Sequence, residues 1–182
     1  MRKDIILKAR DIKETLCKIA EEIVAHNPTM EDVVLIGIRT GGAFLAVRLQ
    51  RVIGRLNVPK PPAGILDVTL YRDDLTRQTG APAVGKTDLP FSIDNKTIIL
   101  VDDVLFTGRT VRAAMDALID FGRPRKIELA ILVDRGGPLR ELPIRADYVG
   151  GTWEAGPRET VNVYLKEAGH EDLVTIENQE AA

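Results

Sequence analysis

The sequence of 182 residues predicts an α/β protein with a central, mainly parallel sheet flanked by helices. Three observations predict it. Short apolar runs rich in Ile and Val recur at Val33–Ile38, 97–101 and 127–133, as strands buried on both faces do. Amphipathic stretches of helical period lie between them. Glycine-containing turns close the first two runs, each just before a helix. Strands that alternate with helices select parallel pairing, because a parallel pair needs a crossover connection.

The first helix is expected at 12–26, with Asp11 and Glu14 forming a capping-box start and Ile12, Leu16, Ile19, Ile23 and Val24 one apolar stripe. Asn27-Pro28 ends it. Cys17 borders that stripe and reads as a small core or boundary residue, since no His or Asn constellation accompanies it. His26 and His170 lack metal-ligand spacing and read as surface residues near element ends. After Val33–Ile38, the turn Arg39-Thr40-Gly41-Gly42 opens a helix with Leu45, Leu49, Val52, Ile53 and Leu56 inward. A strand is expected at 64–70, then a loop at 71–90 of the length typical of lids, with Arg72, Asp73, Asp74 and Arg77 at its start. Gly122 caps the helix after residue 110. Residues 161–165 and 173–177 alternate and predict a terminal hairpin.

The chemistry concentrates in residues 97–118. A strand runs into Asp102 and Asp103, followed by a loop with Thr107, Gly108, Arg109 and Thr110, and then a helix with Val111, Met115, Leu118 and Ile119 on one face. Unpaired N–H groups and the dipole at a helix start favour a phosphate, and the acidic pair beside it suits sugar hydroxyls or a magnesium ion. Spacing alone leaves a second reading open, the acidic strand end of another kind of α/β domain. The turn at Arg39, Thr40 and Gly41 is a second anion cradle, or a plain tight turn. In such sheets ligands bind at the carboxyl ends of the strands, the edge from which all three loops are expected to leave.

Composition sets further bounds. Net charge is −2, which is no global signature of nucleic-acid binding, and one cysteine rules out a disulfide framework. No apolar run approaches the ~20 residues of a membrane span, and a signal-peptide pattern is missing, so a cytoplasmic single domain over 1–182 is expected.

The string Ile98, Ile99, Leu100, Val101, Asp102, Asp103, Val104, Leu105, Phe106, Thr107, Gly108, Arg109, Thr110 resembles the thirteen-residue signature of type I phosphoribosyltransferases. Within them it is most similar to the pyrimidine operon regulatory family, which also has uracil phosphoribosyltransferase activity. The resemblance extends through LDVTLYRDDL (66–75), GRPRKIELAILVDRG (122–136) and RELPIRADYVG (140–150). It implies the type I phosphoribosyltransferase fold, with a small hood at 134–158 and the C-terminal β-hairpin. It also implies transfer of ribosyl 5-phosphate from 5-phosphoribosyl 1-diphosphate (PRPP) to uracil N1, giving UMP and diphosphate, with Mg2+ as cofactor.

By the same resemblance the signature binds PRPP, Asp102 and Asp103 are the catalytic pair and hold Mg2+ directly or through water, and Arg39, Thr40 and Gly41 form the diphosphate loop. Tyr71 and Arg72 belong to the closing loop. Asp134, Arg135, Asp147, Tyr148 and Val149 are candidates for the base, although Tyr148 also reads as a core aromatic. The family's second role is uridine-nucleotide-dependent binding of the structured pyr mRNA leader, for which Arg140 and Arg145 are the candidates. Residues 122–146 carry a local excess of three positive charges, which is equally the mark of a solvated basic face. The chain departs from the family's usual pattern at Gly41, where an Arg is usual, in the hood, where a His is missing, and at Cys17 and Glu21, where the family has Thr and His. Two other readings therefore stay open, an enzyme without RNA binding and a regulator with negligible turnover. The resemblance further implies a homo-oligomer, a dimer or tetramer.

Overall fold

The computed structural model describes residues 3–73, 85–137 and 139–178. Eight strands and three α-helices follow the order β1 (Lys3–Lys8), α1 (Ala9–His26), β2 (Val33–Ile38), α2 (Gly41–Ile53), β3 (Ala63–Leu66), β4 (Thr97–Leu105), α3 (Arg109–Ile119), β5 (Lys126–Asp134), β6 (Tyr148–Val149), β7 (Glu159–Tyr164) and β8 (Leu173–Asn178). The main sheet has the order β3-β2-β4-β5-β6, and every pair in it is parallel. A second, antiparallel sheet has the order β1-β8-β7.

The main sheet sorts its side chains by the two-residue period of a strand. Val33 and Leu35 of β2 and Ile99 and Val101 of β4 face α1 and α2. Val34, Ile36, Ile98 and Leu100 face α3. Both faces are buried, which is why these strands read as unbroken apolar runs. Tight approach fixes α2 on β2. A Cβ on Gly37 would stand 2.4 Å from the carbonyl oxygen of Gly42, so only glycine fits there.

Several expectations need adjustment. β4 is longer than expected and carries Asp102, Asp103, Val104 and Leu105 as strand residues paired alongside β5. β3 ends at Leu66, and Thr69–Tyr71 is a 3-10 turn rather than strand. α1 begins at Ala9, because Asp11 caps from inside the helix: its carboxylate accepts from the Lys8 backbone N–H at 2.8 Å, while Glu14 pairs with Arg10. β1 gave no alternation strong enough to be read, because only Leu7 of its six residues is buried; its pairing with β8 supplies the missing order. The expected terminal hairpin is present as β7 and β8.

Arg48 ties the second sheet to α2. Its guanidinium, 13% exposed, donates to both oxygens of Asp172 at 2.7 and 2.8 Å and to Glu167. Hydrogen bonds and the Arg48 charge hold both carboxyls below their usual range against the opposing effect of burial. Acids lowered on folding stabilise above their unfolded pKa, and that stabilisation is lost as pH falls through the folded values. Arg48→Gln is expected to cost on the order of 2 kcal/mol at neutral pH. In urea melts the difference from wild type should shrink below about pH 4, where carboxylates protonate.

Candidate active site

β2 and β4 are neighbours, yet the chain leaves them in opposite directions. From β2 it passes through α2 to β3 on one side. From β4 it passes through α3 to β5 on the other. The helices cover opposite faces, so a crevice opens at the carboxyl ends of β2 and β4. The turn 39–42 and the acidic pair both stand at that crevice.

A pocket of about 300 Å³ is lined by Arg72, residues 104–111 and Glu141. Gly108 caps α3 with φ of +93°, a conformation that costs most side chains and costs glycine little. Thr107 Oγ1 accepts from the Arg109 N–H at 3.3 Å, which fixes the loop. The N–H groups of Thr110 and Val111, next in the first turn of α3, have no partner within the helix and suit an anion. Arg109 lies at this mouth, bonded to Glu141 at 2.6 Å and Asp73 at 2.8 Å.

Asp102 is 6% exposed, and Asp103 is half-buried beside it. The carboxylates accept from successive backbone N–H groups, Asp102 from Asp103 at 3.0 Å and Asp103 from Val104 at 2.8 Å. Burial, followed by the Asp103 charge, pushes the Asp102 carboxyl well above its usual range, and Arg72 opposes this. Burial also raises Asp103, against the Val104 N–H bond. Two buried oxygen donors that share too little positive charge fit a hard cation such as magnesium. The Gly41 turn presses on the pair: a Cβ on Gly41 would lie 2.1 Å from Asp103 Oδ2. A second pocket of about 450 Å³ joins Thr40, Gly41 and Asp103 to the inner side of β7.

The turn 39–42 has partners that sequence reasoning missed. Arg39 donates to the Lys86 carbonyl at 3.3 Å, and the Arg39–Thr40 peptide is cis. Asp67 accepts from the N–H groups of Thr69 and Gly85, at 2.9 and 2.8 Å. The Asp67-to-Thr69 step is an Asx turn, a signal readable in the sequence. Glu141 carried no such signal, since its partner is 32 residues away. Asp74, Arg77 and most of the expected lid lie outside the described residues, which end at 73 and resume at 85.

Arg72 lines the pocket and its charge acts on Asp102, but Tyr71 turns away: its hydroxyl donates to Asp120 at the far end of α3. Asp134 stands at the end of β5, accepting from Gly136 N–H and Arg140. Arg135 lies over the Phe106 ring at 3.7 Å and donates to the carbonyls of Gly156 and Glu159, so it braces the hood. Tyr148 is 1% exposed, with its hydroxyl on Glu128 at 2.7 Å and its ring edge-on to His26. Its side chain serves the core rather than an open slot. Asp147 accepts from Leu129 N–H, near the start of β5 and away from the pocket, and Val149 pairs with Ile131.

The basic residues of 122–146 do not form one patch. Arg125 binds Asp32 and Thr97, and Lys126 pairs with Glu128, both at the amino end of β5. Arg140 is 13% exposed and held by Asp134 and the Ile144 carbonyl. Arg145 is exposed.

The phosphoribosyl transferase domain family matches residues 3–160. The bifunctional protein PyrR of Desulfosudis oleivorans is 51% identical over 171 residues, 94% of each chain. The chain belongs to the PyrR family of phosphoribosyltransferases. The bifunctional PyrR of Bacillus pumilus is 52% identical across 96% of this chain and 97% of its own. That of Chloroflexus aurantiacus is 53% identical across 94% and 93%. The hypoxanthine phosphoribosyltransferase of Trypanosoma cruzi superposes with a TM-score of 0.73 over 97% of both chains at 20% identity, which establishes the type I fold. No described helix is long and apolar enough to cross a membrane.

An acid whose pKa is raised on folding destabilises the folded state as pH rises above the ordinary carboxylate range, because the unfolded chain loses its proton first. Asp102→Asn removes that penalty. At pH 7 the unliganded variant is expected to melt no lower than wild type, while calorimetry shows PRPP affinity reduced about 100-fold, about 2.7 kcal/mol. A lower melting temperature with unchanged affinity would make the pair structural.

Proposed function

We propose that the chain is a uracil phosphoribosyltransferase that also binds the structured leader RNA of pyrimidine genes under uridine-nucleotide control. The observation that carries this is identity of about half to bifunctional PyrR proteins across nearly the whole chain, together with an intact phosphate cradle beside Asp102 and Asp103. The reaction transfers ribosyl 5-phosphate from PRPP to uracil N1 and releases diphosphate.

In this reading residues 107–110 hold the 5-phosphate at the start of α3, with Arg109 released from Glu141 and Asp73 as the phosphate arrives. Thr40, Gly41 and Arg39 hold the diphosphate, with Arg72 from the closing loop. Asp102 and Asp103 position the ribose hydroxyls and hold Mg2+. The ion supplies positive charge to the leaving diphosphate. Asp134, at the carboxyl end of β5, is the candidate for the uracil edge, whose O2, N3–H and O4 call for few, well-placed partners. Positioning and charge stabilisation carry the rate, since a ribosyl oxocarbenium transition state asks for little proton transfer. A homo-oligomer in the cytoplasm, where PRPP and mRNA meet, fits both roles. A single domain over 1–182 serves them.

The test is a panel of nucleobases with PRPP and Mg2+, read by diphosphate release, beside an RNA gel shift with and without UMP. Uracil is expected to turn over at least tenfold faster than any other base. No turnover with any base would refute the enzyme, and a shift indifferent to UMP would refute the regulator.

A further inference from the structure

The RNA-binding reading leaves open which cations of this chain meet the phosphates. The bases of 122–146 supply few, because Arg125 and Lys126 are paired at the far sheet edge and Arg135 and Arg140 are bonded inside the hood. A denser set lies elsewhere. Lys13 of α1, Arg51 and Arg55 at the end of α2, and Lys166 after β7 line one open groove of about 370 Å³ between the two helices.

All four side chains are exposed, and among the described residues none makes a close ion pair, although the Lys166 charge acts on Asp172 and its backbone N–H donates to that carboxylate at 2.9 Å. The acids that border the groove are already engaged, since Glu167 and Asp172 are both bonded to Arg48. Arg48 and Arg51 stand three residues apart on α2 and so share a face, with Arg48 the fixed member, and Arg55 follows in the turn after the helix. The dipole at the end of α2 accounts for Arg51 alone. Lys13 sits in the second turn of α1, beyond the reach of the dipole, so the dipole does not account for it either. Holding four like charges around one groove, in a chain of net charge −2, is repulsive until a polyanion enters.

We propose that the α1–α2 groove is a phosphodiester-binding track for folded RNA, with Lys13, Arg51, Arg55 and Lys166 as its backbone contacts. The proposal rests on the RNA-binding reading above and adds the surface. Such contacts position the RNA without reading its bases. They lie outside both pockets of the active site.

The triple variant Lys13→Gln/Arg51→Gln/Arg55→Gln, with a pyr leader hairpin and UMP, tests it by binding across a salt series. The expected result is weaker binding and a plot of log K against log salt less steep by about two, since each lost contact removes about 0.7. Uracil turnover and subunit mass are expected to match wild type, which reports an intact fold. Wild-type affinity and slope in the variant would overturn the track and leave the regulator standing. A change in mass that accompanies the loss would make the groove a subunit contact and overturn the proposal. Failure of the wild-type protein to bind the hairpin at low salt would overturn the regulator, and the track with it.

Discussion

The pairing of β2 with β4 is the constraint on which the site depends. Register runs from Val33 against Thr97 to Gly37 against Val101, and there the pairing stops, one residue before the end of β2. β4 continues to Leu105 without β2 beside it. The carboxylates of Asp102 and Asp103 bond the backbone N–H groups of this overhanging segment. The turn after β2 then folds back with glycines at 41 and 42, close enough that a Cβ on either would clash with β4. This close approach therefore sets the distance between the turn 39–42 and the acidic pair.

The same closeness bears on residue 41. An Arg there has to displace the Asp103 carboxylate, whereas glycine lets the carboxylate lie against the turn. Positive charge at the loop then falls to Arg39, which donates to the Lys86 carbonyl and whose charge acts on Asp67. The unliganded site is short of positive charge at its centre and has salt-bridged arginines at its rim. Ligand phosphates and a cation would exchange those rim contacts for stronger ones.

Much of this was legible in the sequence. The period of β2, β4, α1, α2 and α3, the signature of residues 98–110 and the terminal hairpin could all be read, because burial on both faces and fixed spacing leave plain marks. β1 could not, since its order comes from β8 rather than from its own pattern. Tyr71 and Tyr148 carried the right residue type at the right place in the chain, but their hydroxyls found Asp120 and Glu128, partners 49 and 20 residues away. The basic excess of 122–146 was a correct count whose members the sheet sends to opposite edges. Charge summed along a chain does not say where it gathers in space, and the groove of Lys13, Arg51, Arg55 and Lys166 draws on three separate segments.

Burial raises the carboxyls of both Asp102 and Asp103, and a bound ligand with a cation would lower them again. Carbon-13 NMR of the aspartate carboxyls tests it most directly. The account predicts that one resonance, lost in Asp102→Asn, titrates above the ordinary aspartate range in the unliganded protein and shifts to the ionised position when PRPP and Mg2+ are added. Titration of both groups with the surface aspartates, or resonances indifferent to PRPP and Mg2+, would contradict it.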